Sequence, residues 1–188
     1  MRRIELVENG IYMVLEITDG NEVKLLHFSS LPFCENTIRS REEKRAFRLV
    51  EIGLSGLDRP EERHGIKYTV TAPGYRMKYV EHKDERNSLG RILSVVTADE
   101  ATQVYVTCYF QFYEGISMAR CWSKVENRGK ESQGLEYISS FNLNGIEKEG
   151  ILPRDSKMEV WVAHNSWQRE LQWKGYTLPQ LGLSSPAR

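Results

Sequence analysis

Short runs in which apolar and polar residues alternate, separated by clusters of turn formers, dominate this chain. A period of two sends successive side chains to opposite faces of an extended strand, so the pattern predicts antiparallel β-structure. Residues 11–18 and 23–28 form two such runs around Asp19-Gly20-Asn21, the outline of a hairpin. Further strands are expected at 49–54, 66–71, 77–82 and 91–97, divided by the loop 56–65 and by Ala72-Pro73-Gly74. No stretch keeps a helical i, i+3, i+4, i+7 spacing over three turns. The best helical candidate, 38–47, is so densely charged that it reads as a short surface turn or loop.

The clearest hairpin joins 104–113 to 116–125 through Glu114-Gly115. Placing the turn there sets Cys108 opposite Cys121 and Phe110 opposite Ala119. Val104, Val106, Cys108, Phe110 and Phe112 then share one face and meet smaller residues across it, as a packed core requires. Glu126-Asn127-Arg128-Gly129-Lys130 follows as a turn cluster, then strands at 135–143 and 158–164. Beyond Trp167 the alternation is lost. About nine or ten strands at this spacing imply an all-β, antiparallel two-sheet sandwich. The expected organisation is a sandwich over 1–166 and a connector over 167–188.

Composition narrows the picture. Lys and Arg number 26 and so do Asp and Glu, so no broad field draws the chain to nucleic acid or to an acidic membrane. The basic run 39–48 reads as solvated surface. No apolar run approaches the ~20 residues that span a bilayer. The basic start Met1-Arg2-Arg3 lacks the apolar stretch of a signal peptide, and a cytoplasmic location is expected. Cys34, Cys108 and Cys121 have no metal-ligand spacing and fit reduced thiols; the cross-strand pair could bridge only in an oxidising setting.

Three stretches together resemble the N-terminal domain of glycoside hydrolase family 36, the α-galactosidases. They are Phe47-Arg48-Leu49-Val50-Glu51-Ile52 with Ser55-Gly56; Trp122-Ser123-Lys124-Val125-Glu126-Asn127-Arg128-Gly129; and His164-Asn165-Ser166-Trp167-Gln168-Arg169-Glu170-Leu171-Gln172-Trp173. The last is the most specific, and the likeness runs in order through nearly the whole chain. The resemblance implies a supersandwich, a galactose-mutarotase-like double sheet that precedes a catalytic (β/α)8 barrel. The family's nucleophile and acid/base are barrel aspartates, so no residue here inherits those roles. Many members carry Asp-Phe-Arg where the sandwich nears the sugar pocket. This chain has Ala46-Phe47-Arg48, and the missing aspartate puts α-galactoside specificity in question. The function this implies is a non-catalytic domain docking on the barrel, walling the sugar pocket or holding an oligomer together. The alternative is a stand-alone carbohydrate-binding or mutarotase-like protein.

The acidic neighbours Glu42-Glu43, Glu61-Glu62, Asp84-Glu85 and Asp99-Glu100 read as solvated loop residues rather than a hydrolytic pair. The most functional-looking stretch is 56–65, where Asp58, Arg63 and His64, with Lys67 beyond, supply the donors and acceptors that sugar hydroxyls need. Arg48 joins them through the family motif. Trp161, Trp167 and Trp173 could stack on sugar rings, but burial is the commoner fate of a Trp. Trp167 and Trp173 are expected at a domain interface, and His164 in a structural hydrogen bond. No metal site and no cofactor is expected.

Overall fold

The computed structural model describes residues 1–35, 47–57, 71–143 and 159–182. These are almost entirely β, and every strand pair is antiparallel. The chain divides into two units, Met1–Asn144 and Gly145–Arg188.

The first unit holds three sheets. β1 (Arg2–Glu8), β2 (Ile11–Ile17) and β3 (Val23–Ser29) form one of them in sequence order. Asn9 and Gly10 make the β1–β2 turn with φ of 47° and 81°, the left-handed pair that matches the strand twist in a two-residue hairpin loop. β4 (Ile52–Leu54) pairs with β9 (Leu135–Ile138). β5 (Lys78–Asn87), β6 (Gly90–Asp99), β7 (Val104–Tyr113) and β8 (Ile116–Asn127) form a four-stranded meander.

One apolar core gathers the inward residues of all three sheets. Met13, Leu15, Ile17 and Leu25 come from the first sheet, Ile52 and Leu54 from β4, and Leu93, Val95, Val106, Phe110 and Phe112 from the meander. The alternation in β6, with Leu93, Val95 and Thr97 buried between half-buried neighbours, is the pattern of a strand with one face on a core. A smaller cluster of Val14, Leu26 and Phe47, with Phe33 against it, lies apart from this core.

Several expectations are revised. β1 lies where no strand was expected, and Ala72-Pro73-Gly74 opens a five-residue helix, α1 (Ala72–Arg76). Thr71 caps it, accepting a 3.0 Å bond from Gly74 N while its hydroxyl donates to Ile52 O. The strands expected at 49–54 and 135–143 are shorter, and 66–70 lie outside the described residues, as does the helical candidate apart from Phe47. The β7–β8 hairpin forms with the expected faces, but its register is slid by two. Cys108 faces Ser123, and Phe110 faces Cys121. The cause is an irregularity beside the turn, where Tyr113 pairs with Ile116 but Phe112 with Ala119, leaving Ser117 and Met118 as extra residues. A slip of two preserves the faces because side chains alternate with period two. Cys108 and Cys121 are free thiols, and burial pushes Cys108 up to about 12 and Cys121 up to about 11.

In the second unit, β10 (Glu159–Ser166) pairs with β11 (Arg169–Thr177), and a short 3-10 turn (Pro179–Leu181) follows. Residues 169–177, expected as connector, are therefore strand. Their alternation is invisible in the sequence because both faces are largely exposed and Leu171 interrupts the strand with a φ of 52°. Among the described residues no helix is long and apolar enough to cross a membrane.

Candidate functional site

The most unusual chemistry in the first unit is a row of charges running across the strands. Arg3 faces Glu16, Glu16 faces Lys24, and Lys24 faces Arg48 through an isolated bridge. Directly opposite residues of antiparallel strands share a face, so the four side chains line up in the order plus, minus, plus, plus. The backbone bonds Leu25 N to Phe47 O, at 2.8 Å, and Leu49 N to Val23 O, at 3.3 Å, fix the last step. Glu16, Lys24 and Arg48 are only 1%, 6% and 6% exposed.

Acidic partners flank the two neighbouring cations. Lys24 Nζ lies 3.1 Å from Glu22 Oε2, and the other oxygen of Glu22 lies 3.6 Å from Lys78 Nζ. Burial acts to raise the Glu22 carboxyl, but Lys24 and Lys78 overcome it and hold it below the usual range. Arg48 Nε is 3.9 Å from Glu51 Oε1, too far for a hydrogen bond, and the guanidinium stacks on Tyr75 of α1 at 4.5 Å. Arg48 Nη1 and Glu51 Oε2 are buried without a hydrogen-bond partner. Burial pushes the Glu51 carboxyl up to about 7, against the pull of Arg48 and Lys24. The Glu51 backbone is bonded to Ser139: its N–H donates to Ser139 Oγ at 2.9 Å, and its carbonyl accepts from Ser139 N.

Of the residues expected to contact sugar, only Arg48 is described. It is enclosed in this cluster rather than spread on solvated surface. Asp58, Arg63, His64 and Lys67 lie outside the described residues, as do Glu42-Glu43 and Glu61-Glu62. Lys24, Glu51 and Tyr75 were missed by sequence reasoning. The available signal was a charge at an in-pattern position of an apolar run, as in Val23-Lys24-Leu25 and Leu15-Glu16-Ile17.

The other acidic neighbours also differ from expectation. Asp84 and Glu85 are on β5, not in a loop, and Asp84 takes two bonds from Arg91, at 2.8 and 2.6 Å. Asp99 is fully buried at the end of β6, bonded twice to Arg76, at 2.9 and 2.8 Å, and once to Thr102. Burial works to raise its carboxyl, and these bonds outweigh it, so Asp99 is held low and ionised. Asp84 thus staples β5 to β6, and Asp99 ties the end of β6 to α1. Among the described residues no group of His, Cys, Asp and Glu is arranged to hold a metal ion.

The second unit carries the tryptophans. Trp161 faces Gly175, and Ala163 faces Trp173, so the two indoles share one face of the hairpin as diagonal neighbours. Trp161 lies against Gly175, at a distance that would leave a Cβ there only 3.1 Å from the ring. Trp161 and Trp173 are exposed rather than buried, and Trp167 at the hairpin tip is 91% exposed. On the opposite face, His164 Nε2 and the Tyr176 hydroxyl are 2.8 Å apart, the expected structural bond. The chain matches no protein-family model and no curated protein.

Proposed function

We propose that this chain is a non-catalytic, N-terminal supersandwich domain of an α-galactosidase-like glycoside hydrolase, serving carbohydrate metabolism by docking on a catalytic (β/α)8 barrel and helping to wall its sugar pocket. The observation that carries the reading is the face of Trp161 and Trp173 on β10–β11, with Trp167 at the tip. Large apolar rings displayed together are what a docking surface needs, because covering them removes apolar area from water. The stretch His164–Trp173, the most specific part of the family resemblance, forms the upper half of this hairpin. The antiparallel sheets around one core fit the same reading, and Asp84 and Asp99, each held by an arginine, are committed to structure.

The test is an assay of the purified chain with nitrophenyl α-galactoside, and its titration with galactose, melibiose and raffinose. No turnover above a heat-killed control and no saturable sugar response are expected. Turnover would refute the non-catalytic reading. A saturable response without turnover would move the assignment to a stand-alone carbohydrate-binding or mutarotase-like protein. In a barrel-containing parent, Arg63→Ala and His64→Ala are expected to weaken sugar affinity.

A further inference from the structure

At the end of the charge row lies a cleft of about 20 Å³, bounded by β3, the segment 48–50 and α1. That exceeds the roughly 10–15 Å³ a single water requires, which is the scale of one small ion. Its charged wall is Glu22, Lys24 and Arg48.

Three facts define what the cleft can hold. Lys24 and Arg48 are direct cross-strand neighbours of like charge, an arrangement that destabilises a sheet and that a negative ion between them would relieve. Each is enclosed, so water screens their repulsion poorly; burial first, and the charge of Arg48 in addition, lower the Lys24 pKa. Arg48 lines the cleft, is 94% buried by its 6% exposure, and has an N–H group, Nη1, that donates to nothing. A guanidinium offers donors only, so its missing partner is an acceptor.

The surrounding charges do not supply one. Glu22 is shared between Lys24 and Lys78. Glu16, on the far side of Lys24, has Arg3 at 3.6 Å. Glu51 approaches Arg48 no closer than 3.9 Å, and burial weakens its negative charge near neutral pH. The Thr97 hydroxyl, also on the cleft wall, is directed to Val106 O at 3.4 Å. On the cleft wall itself Lys24 and Arg48 face the single carboxylate of Glu22, and this excess of one positive charge favours a negative ion over a water in the same volume.

We propose that this cleft is a binding site for a single-atom anion, with chloride as its ligand, held between Arg48 and Lys24. The site is independent of any role in sugar recognition. A bound chloride accepts from Arg48 Nη1, separates the two cations and stabilises the junction between β3 and the segment leading into β4.

The experiment is thermal unfolding of the full chain at fixed ionic strength, with sodium gluconate exchanged stepwise for chloride or bromide. A ligand that binds only the native state raises the Tm in a saturable way. Chloride and bromide are expected to do so and gluconate is not, and bromide-soaked crystals are expected to show an anomalous peak beside Arg48 Nη1. Arg48→Met is expected to abolish both effects. Should it fail to fold, Lys24→Met provides the second arm, weakening the halide midpoint about 10-fold, the equivalent of 1.4 kcal/mol. Equal Tm values in chloride and gluconate, a drift that neither saturates nor responds to the variants, or a water in place of bromide would each overturn the proposal.

Discussion

Glu51 shows how one side chain can work against the fold that encloses it. Its Oε2 is buried with no donor, and its carboxyl is raised from 4.5 to about 7. A folded-state pKa above the unfolded value means that the native chain binds the proton more tightly between those two limits. Glu51 therefore contributes most below about pH 4.5, and its contribution is lost as pH rises through 7. Glu51→Gln removes the ionisation and keeps the shape. Urea titrations are expected to show the variant gaining on the parent by about 1–2 kcal/mol between pH 5 and pH 8. A pH-independent difference would count against this account. Lys24 was visible in the sequence as a charge inside the pattern 23–28, and Arg48 as the end of a basic run that reads as solvated surface. Their apposition was not, because the bridge joins residues that are distant in the sequence.

At the scale of elements, local chemistry decided which hairpins form and tertiary packing decided how they register. The β7–β8 faces could be read because bulky and small residues alternate in step on the two strands. The slide that puts Ser123, not Cys121, opposite Cys108 could not, since either register satisfies the same alternation. The β1–β2 hairpin did carry a signal, Asn9-Gly10, but β1 itself is charged and half exposed and offers little periodicity. The β5–β6 turn depends on Gly90, whose φ is 138°. A Cβ there would fall 2.5 Å from Phe112 O and 2.9 Å from Glu114 N, both backbone atoms. Gly90→Ala must therefore shift the neighbouring hairpin as well as strain its own backbone. A loss of about 2–4 kcal/mol is expected by chemical denaturation, against less than about 0.5 kcal/mol for Ser88→Ala in the same turn.

For the molecule as a whole, the core of the first unit is built from residues of β1–β4, α1's flank and the meander. A two-stranded hairpin has too little apolar face to be stable alone. Residues 1–144 are accordingly expected to fold without the remainder, with one cooperative unfolding transition whose midpoint lies within a few degrees of the full chain's. A fragment that stays unfolded by circular dichroism would show that the second unit completes the first.

Alternation and turn residues by themselves determined that the described residues are mainly antiparallel β, because the period of side-chain direction along a strand is a property of the backbone and needs no partner. They also determined the inward face of β7, since only one set of its side chains is uniformly apolar. The tertiary structure alone decided what became of the charged positions. Asp99 became a buried staple, and Lys24 and Arg48 became enclosed neighbours. A polar residue's fate depends on which groups arrive beside it, and those come from distant parts of the chain.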